Sequence, residues 1–196
     1  MRSSRLATWL GLLLGMHAAS AQPPPARDAA NVEWPVYGGS LASQFYSPLD
    51  QIDAHNVKDL KVAWRWSGGN FGPTPELKSE NTPLMVGGVL YATAGATRNV
   101  VAIDAKTGET LWIWRPNEGQ RFNEGPRKMS GRGVAYWSGG ADDKRVFVVT
   151  PGFFLWSLDA TTGLPKREFG EAGVVDLRRG LRGPTEHIEA GSSSPI

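Results

Sequence analysis

The sequence predicts an all-β chain, because short apolar runs alternate with Gly- and Pro-rich turns and no long amphipathic helical pattern occurs in its 196 residues. Two segments repeat one pattern, a Val-rich run followed by an Asp-Ala-x-Thr-Gly turn, at Asp104–Gly108 and Asp159–Gly163. A repeat of roughly 50 residues built from short strands is typical of a β-propeller blade. The chain is therefore predicted to form the first blades of a β-propeller.

The repeated turn has a structural explanation. Gly tolerates positive φ, and an Asp side chain can accept hydrogen bonds from nearby backbone amides. Asp104 and Asp159 are therefore predicted to be structural rather than acid–base catalysts. Trp112, after the first turn, is expected to pack between adjacent blades. The second copy carries Lys166 and Arg167 near that place, so its contact with the adjacent blade is predicted to be weaker or to be made by other residues.

The elements are predicted in chain order from the pattern of apolar runs and turn residues. Residues 50–59 are predicted to hold one or two turns of helix, capped by Asp50, with Ile52, Val57 and Leu60 facing inward. The predicted strands are Leu60–Trp66, Met85–Ala92, Val100–Ile103, Thr110–Trp114, Gly133–Tyr136, Arg145–Thr150 and Leu155–Leu158.

The first 21 residues have the features of a cleavable export signal. Arg2 and Arg5 precede a short apolar run, and Ala19-Ser20-Ala21 is a suitable cleavage site, so the mature chain is expected to begin at Gln22. An uncleaved anchor is the alternative, although the apolar run is short for a bilayer. Residues 22–32 are predicted to be a flexible Pro-rich lead-in, and residues 33–196 a partial propeller domain.

Charge and cysteine content exclude some functions. Removal of Arg2 and Arg5 leaves 19 basic residues (21 less two) against 19 acidic ones, so no nucleic-acid surface is predicted. No Cys is present, which excludes disulfides. A propeller closes with about four to eight blades, more than this length supplies, so we expect the front part of a larger protein. A dimer of open propellers is the alternative.

Several motifs follow one another along the chain. They are Trp34-Pro35-x-Tyr37-Gly38-Gly39, Tyr46-Ser47-Pro48-Leu49-Asp50-Gln51-Ile52, Asn56-Val57-Lys58-Asp59-Leu60, Ala63-Trp64, Glu80-Asn81-Thr82-Pro83-Leu84, Gly131-Arg132-Gly133-Val134-Ala135-Tyr136-Trp137, Phe169-Gly170-x-x-Gly173-Val174-Val175-Asp176-Leu177 and Ser193-Ser194-Pro195. In their order and spacing they resemble the opening of the quinoprotein dehydrogenases, periplasmic enzymes that use pyrroloquinoline quinone (PQQ) to oxidise alcohols or sugars such as glucose.

The resemblance implies a propeller of about eight blades, with PQQ near its axis and calcium or a lanthanide beside the quinone. It implies an Asp base, hydride transfer to the quinone, and a cytochrome or membrane quinone as electron acceptor. The family's metal ligands, its base and its ring-floor Trp lie further along than this chain. No catalytic or metal-ligating residue is therefore assigned here, and the chain is expected to be inactive alone.

The resemblance also implies cofactor-binding residues. Arg132 stands where the family has a cofactor-binding Arg, whose guanidinium suits bidentate carboxylate binding. Glu80 stands where alcohol-oxidising members have a cofactor-contacting Glu, which must share a proton or lie near the metal. Ser192, Ser193 and Ser194 stand where small hydroxyl residues line the cofactor. The alternatives are an inter-blade Arg, a turn or capping Glu and a plain Ser-rich loop.

The chain departs from many members of the family at one place. Many family members that oxidise alcohols carry adjacent Cys residues shortly before the Arg, and residues 124–130 contain none. His55 and His187 match no catalytic position and are expected to be solvated. Two alternative functions remain. A non-catalytic propeller scaffold of the outer-membrane assembly type would share the turn repeat. A sugar-binding lectin-like propeller is supported only by the eight Trp residues. The motifs around Glu80 and Arg132 favour the enzyme, because a scaffold has no need of them.

Overall fold

The computed structural model describes residues 32–68, 71–72, 74–182 and 190–192. Most of this part forms two four-stranded antiparallel sheets, which we call blade 1 and blade 2. Blade 1 consists of β1 (Leu84–Val86), β2 (Val89–Ala94), β3 (Asn99–Asp104) and β4 (Thr110–Trp114), and blade 2 of β5 (Ala135–Ser138), β6 (Lys144–Val149), β7 (Phe154–Asp159) and β8 (Val174–Asp176). The described helical segments are a 3₁₀ turn at Val57–Asp59 and α1 at Gln120–Glu124. The predicted all-β fold, with the first blades of a propeller, is confirmed.

The strands of each blade pair in chain order, so successive connections alternate between the two ends of the sheet. The Asp-Ala-x-Thr-Gly turns that follow β3 and β7 lie at one end. Five segments lie at the opposite end, which we call the site end. They are the segment before β1, the β2–β3 turn at 95–98, the β4–β5 connection at 115–134, the β6–β7 turn at 150–153 and the segment after β8.

The main core lies between the two blades. Val100 and Ala102 of β3 face Val146 and Val148 of β6, and all four are fully buried. The opposite face of blade 1 is also covered, because Phe71 lies in a second cluster with the inner residues of β2 and β3, and Trp64 and Trp66 pack against that cluster. Strand β3 is therefore buried on both faces, which suits its run of β-branched residues.

Trp112 packs between the blades, as predicted. Its indole Nε1 donates to the Ala160 carbonyl of blade 2 at 3.0 Å, and its ring lies against Gly163, where a Cβ atom would come within 2.5 Å of the ring. Trp64 repeats this contact on blade 1, donating to the Ala105 carbonyl at 3.2 Å. The sequence signal is the pair of Trp-x-Trp motifs, at residues 64–66 and 112–114, which the turn repeat alone did not reveal.

The Asp residues of the repeated turns have the predicted structural role. The Asp104 Oδ1 atom accepts hydrogen bonds from the backbone N of Lys106 at 2.9 Å and of Thr107 at 2.8 Å. The Asp159 Oδ1 atom accepts from the equivalent amides of Thr161 and Thr162 at 3.0 and 2.9 Å. Lys166, which follows the second turn, places its ammonium 3.5 Å from Asp159 and from Asp143, so it makes ion pairs within its own blade.

Two element predictions are wrong. Residues 60–66 form no strand, because no described strand lies beside them to complete a ladder. The predicted helix at 50–59 is reduced to the 3₁₀ turn, and Asp53 rather than Asp50 accepts the local amide bonds, from His55 and Asn56. The three side chains predicted to face inward are exposed, because no described segment covers this part of the chain; they are Ile52, Val57 and Leu60.

The other predicted strands are present, Thr110–Trp114 with the predicted bounds and the rest with shifted ones. The predicted strand Met85–Ala92 divides into β1 and β2, because Gly87 and Gly88 adopt positive φ of 60° and 78° and form a hairpin turn. The predicted strand at 133–136 begins instead at Ala135. Residues 1–21, and residues 22–31 of the lead-in, lie outside the described residues. Within the described part, no helix combines the length and apolar character that a membrane span requires.

Candidate functional site

Glu80 and Arg132 occupy equivalent places, each shortly before the first strand of its blade at the site end. The two segments touch, since the Thr82 amide donates to the Arg132 carbonyl at 3.2 Å. Gly133 adopts a φ of +116°, and a Cβ atom there would lie 2.7 Å from the Thr82 carbonyl oxygen. The absence of a side chain at Gly133 therefore allows the two segments to approach each other. The structure brings these two predicted site residues together.

The charge around Glu80 is positive. Lys78 lies 3.0 Å from the Glu80 carboxylate, and its hydrogen bond and charge hold the pKa of Glu80 below its usual value. The charges of Arg132 and Arg127 act in the same direction. Glu80 is therefore ionised at neutral pH, and three cations surround one carboxylate. Glu80, Arg127 and Arg132 are exposed, so an anion can reach them.

Ser192 lies beside the β4–β5 connection, which carries Arg127 and Arg132. Its carbonyl oxygen accepts a hydrogen bond from the Arg98 guanidinium at 2.7 Å. The preceding Gly191 packs on Arg127, since a Cβ atom at this glycine would lie 3.3 Å from the Arg127 side chain. Ser193 and Ser194 lie outside the described residues. Contact between these Ser residues and a cofactor stays a prediction.

Arg98 is the central residue that the sequence analysis missed. It is 3% exposed and lies in the β2–β3 turn with a φ of +56°, a region uncommon for residues other than Gly. Burial lowers the pKa of Arg98 to about 10, while the nearby Glu118 acts in the opposite direction. Arg98 is therefore charged at neutral pH. The only local signal in the sequence is a long cationic side chain in a tight turn between two buried strands.

Hydrogen bonds to Glu76 and Ala96 also hold the loop at residues 127–133. The two carboxylate oxygens of Glu76 accept from the amides of Ser130 and Gly95, each at 3.0 Å. The Met129 amide donates to the Ala96 carbonyl at 3.0 Å. The Ser130 hydroxyl is fully buried and makes no hydrogen bond within the described structure.

His55 makes no described contact with this site. His55 has a side chain that is 95% exposed, as predicted, and His187 lies outside the described residues. Among the described residues, no group of three or more His, Asp or Glu side chains is arranged to hold a metal.

Comparison with known proteins gives consistent matches. Residues 34–196 match the family described as PQQ glucose/ethanol/alcohol dehydrogenase, beta-propeller domain. The dehydrogenase subunit of the quinone-type alcohol dehydrogenase of Gluconobacter oxydans is 41% identical over 133 residues, which cover 67% of this chain and 16% of that protein.

Two solved structures are also similar. The quinohemoprotein alcohol dehydrogenase of Comamonas testosteroni matches with a TM-score of 0.62 and 33% identity, covering 78% of this chain and 20% of that one. A europium-containing methanol dehydrogenase matches with a TM-score of 0.54 and 27% identity, covering 69% of this chain and 22% of that one. The chain thus spans 16% to 22% of the length of these three proteins.

Proposed function

The chain belongs to the PQQ-dependent glucose/ethanol/alcohol dehydrogenase β-propeller family, and from this membership we propose that it forms the front part of a dehydrogenase that oxidises an alcohol or a sugar. We further propose that the protein acts in the periplasm, on the strength of the export-signal features of residues 1–21. A cytochrome or a membrane quinone is the proposed electron acceptor.

The observation that carries the proposal is the cationic cluster at the site end. PQQ is a flat tricarboxylate, and three cations around Glu80 supply the charge that such an anion requires. The residues present therefore fit the cofactor. When bound, PQQ supplies the two-electron oxidant of the reaction.

Each residue of the cluster has a proposed task. Arg132 binds a PQQ carboxylate through its guanidinium fork, because paired N–H donors match the two carboxylate oxygens. Glu80 would lie beside an anion, and the described cation that offsets its charge is Lys78, 3.0 Å away. We propose calcium or a lanthanide as a further cation at the site, with its ligands outside the described residues; the similar europium-containing enzyme supports a metal. Ser192, Ser193 and Ser194 are proposed to line the same site.

This chain alone is proposed to bind PQQ weakly and to lack activity. The residues assigned here bind and orient a cofactor, but none of them is assigned as a base or as a metal ligand. Proton abstraction from a substrate hydroxyl requires a positioned base. We therefore expect turnover only from the whole gene product.

The test is PQQ binding by the whole gene product and its Arg132→Ala variant. Loss of a charge-assisted contact is expected to weaken binding by about 1.5–3 kcal/mol, measured by titrating the apoprotein with PQQ. Arg167→Ala is the matched control, because Arg167 is an exposed Arg beside the turn at the opposite end of blade 2. Equal affinity of the Arg132→Ala variant and the wild type would reject Arg132 as a cofactor ligand. A wild-type protein that binds no PQQ would favour the scaffold alternative.

A further inference from the structure

The buried guanidinium of Arg98 is the point where the segments of the candidate site meet. Its Nε donates to the Met129 carbonyl at 3.2 Å, and its Nη2 donates to the Arg127 carbonyl at 3.0 Å. Its Nη1 donates to the carbonyls of Val149 at 2.8 Å and Ser192 at 2.7 Å. These four oxygens come from the β4–β5 connection, the end of β6 and the segment after β8.

We infer that Arg98 is a positioning residue, which holds the loop of Arg127 and Arg132 and the segment of Ser192 in the arrangement that binds PQQ. This inference rests on the proposed function. Arg98 itself is buried and acts through its neighbours, since all of its hydrogen bonds described here go to backbone carbonyls. It fixes the course of the backbone, and the side chains of Arg127 and Arg132 remain exposed.

The contacts require an arginine. A guanidinium carries five N–H donors in a rigid plane and can serve carbonyls in several directions, whereas a Lys ammonium has three donors on one atom. Among the described residues, Arg98 makes no salt bridge with a carboxylate. The carbonyl oxygens, together with the nearby charge of Glu118, therefore compensate its buried charge. Loss of the guanidinium would leave them without this donor.

The loop is adapted to this guanidinium. Gly131 adopts a φ of +67°, and a Cβ atom there would lie 2.8 Å from Arg98 Nε and 2.9 Å from Arg98 Cζ. The backbone at Gly131 therefore lies directly against the guanidinium, one residue before Arg132. A side chain at this position would push the loop away from Arg98 while every donor of Arg98 remained in place.

The test uses the whole gene product with PQQ as the probe. Arg98→Met is expected to raise the Kd for PQQ on the order of 10-fold to 100-fold, the range for residues that position ligand-binding groups. Arg98→Lys is expected to restore part of this loss. Gly131→Ala is expected to weaken binding in the same way. At saturating PQQ, all three variants are expected to change the circular dichroism of the bound cofactor, because its orientation has changed.

The matched control is Arg121→Met. Arg121 also donates to a backbone carbonyl, that of Gly152 at 2.8 Å, and it pairs with Asp176 at 2.9 Å. Arg121 lies in the same β4–β5 connection as Arg132, but its described side-chain hydrogen bonds go to Gly152 and Asp176 of blade 2 and not to residues 127–133 or Ser192. Its replacement is therefore expected to lower the free energy of unfolding while leaving the spectrum of bound PQQ unchanged.

The outcomes separate this inference from the proposed function. If the wild type binds PQQ and Arg132→Ala weakens it, but the Arg98 and Gly131 variants bind with the wild-type Kd and spectrum, the positioning role is rejected and the proposed function stands. A wild type without PQQ binding rejects both. If Arg98→Met does not fold, Arg98→Lys and Gly131→Ala decide the question by the same two measurements.

Discussion

The indole ring of Trp112 lies directly against the Cα atom of Gly163, at the turn that ends β7 in the neighbouring blade. Trp64 has the same relationship with Gly108, at the turn that ends β3. In both turns the glycine has positive φ, of 73° at Gly163 and 77° at Gly108. Each turn therefore requires glycine for two reasons. Its backbone adopts positive φ, and the indole ring that covers it leaves no room for a side chain.

Replacement of Gly163 by Ala is expected to destabilise the protein by about 2 to 5 kcal/mol. About 1 to 2 kcal/mol comes from the left-handed backbone conformation, and the rest from overpacking against the Trp112 ring. Gly88→Ala is the matched control, because its φ is 78° but nothing lies within 4 Å of its Cβ position. Urea unfolding measures the free energy of unfolding of both variants. Equal losses of this free energy would show that the contact with the indole ring adds nothing.

The carboxylate of Asp159 is expected to stabilise its turn. Its Oδ1 atom accepts from the Thr162 amide at 2.9 Å and the Thr162 hydroxyl at 3.1 Å, in addition to the Thr161 amide. Asp159→Ala should lower the free energy of unfolding by about 1–2 kcal/mol, as for loss of a helix N-cap. Thr161→Ala is the control, because only its backbone is used in this turn; an equal loss from both variants would contradict the prediction.

The two Asp-Ala-x-Thr-Gly turns predict that the stability of the protein depends on pH in the acid range. Burial acts to raise the pKa of Asp159, but hydrogen bonds from Thr162 and Thr161 outweigh it, so its pKa lies below the usual value. Hydrogen bonds from Thr107 lower the pKa of Asp104. A lowered folded-state pKa gives stability that is present above the unfolded value of about 3.9 and is lost as the pH falls through the folded value.

Unfolding experiments across this acid range should therefore show stability falling below about pH 4. Asp159→Asn should make the fall shallower, because the amide cannot be protonated in this range. The same slope in the variant and the wild type would mean that Asp159 does not contribute to the acid response.

Tyr91 is expected to be the last tyrosine to ionise. Its hydroxyl donates to the Ala160 carbonyl at 3.2 Å, and burial raises the pKa of Tyr91 to about 12, with Tyr136 and Asp159 acting in the same direction. Because the folded pKa is raised, the stability from this protonated hydroxyl is present below about pH 10 and is lost as the pH rises through about 12.

An ultraviolet absorbance titration tests this prediction, because it follows tyrosine ionisation. Tyr91→Phe should remove the late step, whereas Tyr46→Phe, at an exposed position, should leave it in place. A late step that survives Tyr91→Phe would assign it to another tyrosine.

The parts of the fold that sequence could predict depend on local chemistry. The Asp-Ala-x-Thr-Gly turns are specified by residues within five positions of each other, and the buried strands by runs of β-branched residues, so both were predicted. Glu80 and Arg132 were found through motifs, and the structure explains their proximity by their equivalent places before β1 and β5.

The parts that sequence could not predict depend on distant contacts. The partners of Arg98 lie 29, 31, 51 and 94 positions further along the chain, and no local pattern marks it. The segment at 60–66 has the composition of a strand, but a strand also requires a partner. Composition gives no information about the partner, so the prediction failed there.

That unpartnered segment leads to the last prediction. Trp64 docks on blade 1 as Trp112 of β4 docks on blade 2, so residues 60–66 occupy the place of an outer strand in a preceding sheet. No described strand pairs with them, and Leu60 and Val62 are 58% and 63% exposed. An unpaired segment with exposed apolar side chains and free backbone groups can recruit another strand.

The isolated chain is therefore expected to associate as its concentration rises, which light scattering measures. Val62→Lys should reduce this association, because a charge on an exposed edge opposes pairing. Val57→Lys is the control, since Val57 is also exposed but lies in the 3₁₀ turn outside the segment. If both variants reduce association equally, the general apolar surface is responsible and not this edge. A chain that stays monomeric at every concentration would show that residues 60–66 do not recruit another strand.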